Sequence, residues 1–271
     1  MLDLGLEGRR ALVAGAGHRS PRPGMGRATA LLLAEGGARV ACLDLDVGRA
    51  TAVAEEILAA GGEAIVVTAD LTQRADATRA VAEVTEQFGG LDVVVDIIGE
   101  ARWGSVLEFT DEDWDWSLGT NLRQAFLLLQ AAAKQMVSQG TGGAMAVVSS
   151  VDSLFAATNH VGYGAAKAGL VNLVKTFAEE LGQYQIRVNA VLPGAVGIEV
   201  DEGEAPTFGG PVQPLRHPNK HDIAKALTFF VSDLAAGVSG QALAVDGGAS
   251  IKSPWSMPVP GPATITTETG D

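Results

Sequence analysis

The sequence predicts an α/β fold, a doubly wound parallel sheet of seven strands with helices on both faces, forming a single domain. Three observations predict it. Short β-branched or apolar runs alternate with longer alanine-rich stretches from residue 10 to about 246, and each parallel crossover needs a helix and comes out right-handed. A glycine-rich turn follows the first strand-like run. A chain of 271 residues with 47% apolar and 19% charged content has the size and composition for one large core.

Taken in order, residues 10–14 form the first strand-like run, and the alanine- and leucine-rich stretch 24–36 behind the glycine turn reads as its helix. Strand 38–43 pairs with helix 47–60, and strand 63–68 with helix 74–88. Strand 92–98 leads into a long helix 111–138, strand 143–150 into helix 160–182, and strand 186–191 into helix 220–235. Strand 241–245 closes a Rossmann-type sheet. Two segments break the rhythm. Residues 195–219 carry Pro206, Pro211, Pro214 and Pro218 without a clear period and read as a substrate-lid loop. The folded domain is placed at 1–252; the tail 253–271, rich in Pro and Thr, has no capacity to fill a core.

The net charge of −13 argues against nucleic acid as a partner, because phosphate neutralisation needs clustered Lys and Arg. A small molecule or another protein fits better. The single cysteine, Cys42, lies in an apolar run as strand filler and fits a reducing compartment. The opening residues lack a cationic start followed by an apolar core, and no run approaches membrane-spanning length. A cytoplasmic protein with no membrane association is expected.

The turn from Ala14 to Gly26 lies between strand and helix, where glycines let the backbone approach a pyrophosphate and the helix N-terminus meets its charge. Gly15, Gly24 and Gly26 are the candidates, with Met25 between the last two. Asp44 ends the second strand, 29 residues past Gly15, where a carboxylate accepts from adenosine ribose hydroxyls and repels a 2′-phosphate. That favours NAD over NADP. Against it stand His18, Arg19 and Arg22 in the turn, which offer charge to a phosphate, and Asp44 also reads as a strand-end or helix-capping aspartate.

Tyr163 and Lys167 stand four residues apart at the start of a helical pattern, so both project from one face. A nearby cation favours the phenolate, so Lys167 is expected to lower the Tyr163 pKa toward the range useful for exchanging a proton with an alcohol. Ser150 follows the apolar run Ala144–Val148, thirteen residues before Tyr163, at a carboxyl strand end where ligands bind in open α/β sheets. As residues alone, the Tyr and Lys also read as half-exposed groups on an amphipathic helix, and the serine as a turn residue.

These residues, with Asp70, Leu91-Asp92, Asn121, the run Arg187–Gly194 and Asp246-Gly247-Gly248, resemble the short-chain dehydrogenase/reductase family in order and spacing over roughly residues 6–250. The resemblance implies that Tyr163 is the general acid/base, that Lys167 binds the nicotinamide ribose and lowers the tyrosine pKa, and that Ser150 orients the substrate oxygen. Asn121 would hold a water relaying protons to Lys167. Asp70 would meet the adenine ring, with Leu71 among the cofactor contacts, and Gly99 would approach the adenosine ribose. Pro193, Gly194 and Val196 would border the nicotinamide. Family members commonly pair helices such as 111–138 and 160–182, implying a dimer or a homotetramer.

The chain departs from the family pattern at three places. Asp96-Ile97-Ile98-Gly99 stands where the family usually has Asn-Asn-Ala-Gly, the glycine turn is longer by residues 19–23, and Ile198 replaces a frequent threonine. Enoyl reductases of this fold also have stretched glycine turns, but they space tyrosine and lysine wider than four residues. The expected activity is NAD-dependent interconversion of a secondary alcohol and a ketone on a small apolar or cyclic substrate, since Trp103, Phe155, His160 and Phe208 lie in segments that border the site. The alternatives are an NADPH-dependent carbonyl reductase and a non-catalytic dinucleotide sensor. Intact Ser150, Tyr163 and Lys167 argue against the sensor.

Overall fold

A computed structural model of the protein describes residues 3–17, 24–196 and 217–251. The tail 253–271, the insert 19–23 with His18, and lid residues 197–216, including Ile198 and Phe208, lie outside the described residues.

Seven strands form one parallel sheet: β1 (Arg10–Ala14), β2 (Arg39–Asp44), β3 (Glu63–Thr68), β4 (Val93–Asp96), β5 (Gly143–Val148), β6 (Ile186–Pro193) and β7 (Ala242–Val245). Their order is β3-β2-β1-β4-β5-β6-β7. The chain therefore reverses direction across the sheet between β1 and β4, where the loops separate and leave the crevice that ligands use. The register pairs Ala14 with Leu43 on one side and with Asp96 on the other. This brings the glycine turn, Asp44 and the 96–99 segment to one edge of the sheet.

Helices α1 (Met25–Glu35), α2 (Val47–Ala59) and α7 (Lys220–Val231) cover one face, and α3 (Arg74–Phe88), α5 (Gln124–Gln139) and α6 (Val161–Leu181) the other. Successive strand side chains point to opposite faces. Leu12 and Val94 accordingly join Leu128 and Leu170 in one buried cluster, while Val13 and Val95 join Leu227 and Phe230 in the second. Both faces of the sheet are apolar because both are covered.

Local sequence sets three of the helix starts through side-chain caps. Asp46 caps α2 through the Arg49 amide, and Asn219 with Asp222 forms a capping box on α7. Thr110 caps α4 (Asp111–Leu118), whose first turn carries three carboxylates beside the positive end of its dipole.

Several boundaries differ from expectation. The predicted helix 111–138 is α4 and α5 joined by a wide π turn over Gly119–Arg123; such turns often occur at functional sites, and this one contains Asn121. Strands 92–98 and 143–150 stop at Asp96 and Val148, because the chain beyond them turns to form the site. Helix 220–235 ends at Val231, where Ser232 is extended, and resumes as a 3₁₀ turn at Asp233. Cys42 is buried in β2, and burial pushes its thiol up to about 12, so it is the inert filler expected. Among the described residues no helix is long and apolar enough to cross a membrane.

Candidate active site

The glycine turn comes to rest on β2: the amides of Gly15 and Ala16 both donate to the Leu43 carbonyl, at 2.9 and 3.0 Å. Gly15 has φ +77°, a left-handed conformation that favours glycine. At Gly26 the need is space, since an added Cβ would lie 1.8 Å from the Gly15 carbonyl oxygen. The helix start so formed has no side-chain cap at Gly24 and no acidic residue in its first turn. With no side chain of the described residues capping its leading amides, it suits a pyrophosphate in a way that capped α2, α4 and α7 do not.

Asp44 lies at the carboxyl end of β2, 9% exposed. Its Oδ1 accepts from the Asp46 amide at 3.0 Å, and Arg49 approaches that oxygen to 3.9 Å. Arg49 is a cation near Asp44 that sequence reading did not single out; its place on the first turn of α2 brings it there. Asp70 folds back on its own turn, accepting from the Thr72 amide and hydroxyl at 3.0 and 2.6 Å, with Leu71 buried beside it. Pro193 ends β6, the Gly194 amide donates to the Val245 carbonyl at 3.2 Å, and Val196 packs on the α7-side core. Asp246 holds the facing Gly247-Gly248 turn by accepting from the amides of Gly248 and Ser250.

Ser150, Tyr163, Lys167 and Asn121 gather at the carboxyl ends of β4 and β5. Lys167 is fully buried on α6 and donates from Nζ to the Val148 carbonyl at 2.8 Å, while the Ser149 hydroxyl holds the Lys167 carbonyl. Its Nζ lies 5.5 Å from the centre of the Tyr163 ring. Asn121 accepts from the Glu100 amide at 3.0 Å and donates to the carbonyls of Glu100 and Ser117. Between them passes Gly99, where a Cβ would meet Lys167 Nζ at 2.7 Å and Asn121 Oδ1 at 3.1 Å. Ser150 accepts from the Asp152 amide at 3.1 Å and faces the phenol.

The expected lowering of the Tyr163 pKa is not met in this arrangement. Burial pushes the phenol up to about 12, Ser150 works against that, and the Asp152 charge adds to it. The physical reason is desolvation, since burial disfavours the charged phenolate. Burial also lowers Lys167 to about 8, opposed by the charge of Asp96.

Sequence reading singled out His160 without settling its role. It occupies the N-cap position of α6 yet makes no side-chain cap. Its Nδ1 lies 2.5 Å from Asp152 Oδ2, its ring lies 3.8 Å from that of Trp103 and 5.5 Å from that of Tyr163, and its Nε2 is buried with no partner. Asn159, in the left-handed region at φ 63°, accepts from the Gly104 amide and so anchors the Trp103 loop there. Beside this pair opens a cavity of about 480 Å³ lined by Ser105, Val106, Asp152, Phe155 and Gly164. Asp152 carries no signal in the sequence beyond its place two residues after Ser150.

A helix start suited to an anion at the sheet's switch point, beside a phenol and an ammonium on one helix, is the layout of an oxidoreductase that works with a dinucleotide. The comparisons narrow this. A family model described as enoyl-(acyl carrier protein) reductase matches residues 20–250. L-rhamnose 1-dehydrogenase (NAD(P)(+)) of Azotobacter vinelandii is 40% identical over 237 residues, 83% of this chain and 92% of that protein. D-threitol dehydrogenase of Mycolicibacterium smegmatis is 35% identical, covering 92% of this chain and 96% of that protein. The crystal structure of a short-chain type dehydrogenase/reductase from Mycobacterium marinum superposes with a TM-score of 0.84 at 30% identity, covering 92% of this chain and 98% of that one. The chain belongs to the short-chain dehydrogenase/reductase family, and is an NAD(P)-dependent dehydrogenase acting on CH–OH groups.

Proposed function

We propose that this enzyme oxidises a secondary alcohol on a small, cyclic or compact hydroxylated substrate, preferring NAD, with Tyr163 as the general base in that direction and general acid in the reverse. The observation that carries the reading is the Ser150–Tyr163–Lys167 cluster at the carboxyl ends of the strands. Ser150 would hold the substrate oxygen, and Tyr163 would take its proton. A phenol pushed up to about 12 needs a nearby cation to act as a base near neutral pH, and Lys167, one turn along α6 with Nζ 5.5 Å from the ring centre, would supply it. The bound nicotinamide supplies the hydride acceptor.

The residues that would hold the dinucleotide are Gly15, Gly24, Met25 and Gly26 at the pyrophosphate, Asp44 at the adenosine ribose, and Asp70 with Leu71 at the adenine. Gly99 would approach the adenosine ribose, and Pro193, Gly194, Val196 and Lys167 would border the nicotinamide ribose and ring, with Asn121 in the proton path behind Lys167. For the substrate, Trp103 and Phe155 offer exposed apolar faces next to the His160–Asp152 pair. A ring with hydroxyl groups uses both, and the relatives named for rhamnose and threitol support that class.

Steady-state kinetics with cyclic diols, polyols and sugars, each with NAD and NADP, tests the reading. Turnover of at least one such alcohol with at least tenfold higher kcat/KM for NAD is expected, since a charge clash of ~1.4 kcal/mol at Asp44 suffices. No alcohol turned over under any condition would overturn the dehydrogenase assignment. Arg49 beside Asp44 supports the second reading, an NADP-dependent carbonyl reductase. In that case NADP wins and Arg49→Ala selectively damages it.

A further inference from the structure

Asp96, the last residue of β4, is a carboxylate in an otherwise apolar strand. Its side chain shares a face with Val94, the face covered by α5 and α6, and it is 1% exposed. Oδ2 accepts from Gln124 Nε2 at 2.9 Å, and Oδ1 from the Ile98 amide at 3.1 Å. That second bond turns the chain toward Gly99, against which Lys167 Nζ rests. Across the ladder Asp96 pairs with Val147, whose neighbour Val148 accepts from the same Nζ. An acid and an ammonium thus share one dry compartment, each held by neutral partners.

Hydrogen bonding alone does not call for an acid here. An asparagine at 96, with the Gln124 amide reversed, would keep the same bonds, its Oδ1 accepting from the Ile98 amide and its Nδ2 donating to Gln124 Oε1. The family that the chain resembles usually has asparagine there. What the carboxylate adds is charge. The charged group coupled to it among the described residues is Lys167. Asp96 is flanked by Ala14 and Val147 in the sheet and by Gln124 on α5, while α7 packs on the opposite face with Ile223 and Leu227; Glu100 is exposed, and Asp152 acts on the phenol.

We propose that Asp96 is a positioning residue that keeps Lys167 protonated in the dry interior, and so sets the pH range over which Tyr163 exchanges its proton. The inference rests on the reading of Tyr163 and Lys167 as the reacting pair. The sign is fixed by two effects. Burial disfavours the ammonium and a carboxylate favours it, so removing the charge at 96 lets Lys167 lose its proton at lower pH, and Tyr163 then loses its cation.

The test is Asp96→Asn in the full chain, read first without turnover. In protein labelled with ¹³C at lysine Cε, NMR follows the Lys167 titration, assigned with Lys167→Met. Its midpoint is expected to fall by about one pH unit, tenfold in proton affinity, while thermal stability is kept. The high-pH limb of kcat for alcohol oxidation is expected to move the same way, a shift that a purely structural role does not produce. An unchanged Lys167 midpoint would overturn the proposal. The wild type alone gives a second test: burial raises Asp96 to about 6, so the Lys167 resonance should show a further inflection near that pH, and a single-step curve refutes the coupling whether or not the variant folds. If Tyr163→Phe retains full turnover, the assignment of the reacting pair fails instead, and the lysine titration still decides the Asp96 question.

Discussion

At the residue scale, the site depends on a phenol and an ammonium whose ordinary proton affinities are both displaced by burial. Tyr163→Phe keeps the ring and removes the proton, so kcat should fall by about 10² or more with NADH binding, read by fluorescence, nearly unchanged. Near-normal turnover would rule out Tyr163 as the acid/base. Lys167→Met removes the cation that favours the phenolate; nicotinamide binding should weaken, and the activity optimum should move to higher pH because Tyr163 then ionises later. An unaltered pH profile with normal cofactor affinity would contradict the role. Asp44→Ala should erase most of the NAD preference, and kinetics with both cofactors checks it.

At the element scale, the first βα turn is proposed to bind the dinucleotide through its backbone. Gly26→Ala would drive a Cβ into the Gly15 carbonyl oxygen, 1.8 Å away, so the turn must open or α1 must shift. NADH affinity should drop at least tenfold and thermal stability should fall with it. A variant that binds NADH normally would mean that the turn is not the cradle. The π turn at Gly119–Arg123 has a comparable role for Asn121: the wider turn aims its amide at the Ser117 and Glu100 carbonyls and holds the 99–100 segment against Lys167. The length and composition of 111–138 suggested one unbroken helix, because a single wide turn leaves the apolar periodicity nearly intact.

At the scale of the whole molecule, the strand ends are clamped by charge. Arg10 at the start of β1 grips Asp92 just before β4, through Nε at 2.7 Å, Nη2 at 2.5 Å and its backbone amide at 2.9 Å. Burial works against the Asp92 carboxylate, but the Arg10 contacts hold it below its ordinary range. A lowered folded-state pKa contributes stability above the unfolded value, lost as pH falls through the folded one. Asp92→Asn should therefore cost about 2 kcal/mol at pH 7 and flatten the loss of Tm below about pH 4; parallel acid profiles would remove this account. For assembly, partly buried Phe126 and Phe177, edge to face at 6.4 Å, with Leu122, Val171 and Leu173, leave apolar surface on α5 and α6 that a second copy could cover. Sedimentation is expected to give a dimer or tetramer, and a ~28 kDa monomer at micromolar concentration would exclude it.

What the sequence determined by itself is what lies close along the chain. Strand–helix alternation specified the parallel sheet, the 14–26 turn the helix start proposed for the pyrophosphate, and the spacing of Ser150, Tyr163 and Lys167 the cluster proposed to react, because a period or a short offset is a local property that no packing detail has to decide. Only the tertiary structure decided which distant groups share a compartment. Asp96 comes to Lys167 across 71 positions through the β4–β5 ladder, and Arg10 comes to Asp92 across 82. Arg49 faces Asp44, and Asp152 holds His160, although both pairs are near in sequence, because side-chain direction depends on where the turns between them point. Charge acts through space, and its effect on a proton depends on the water excluded around it, so the depressed lysine and the raised tyrosine became legible only once burial was known.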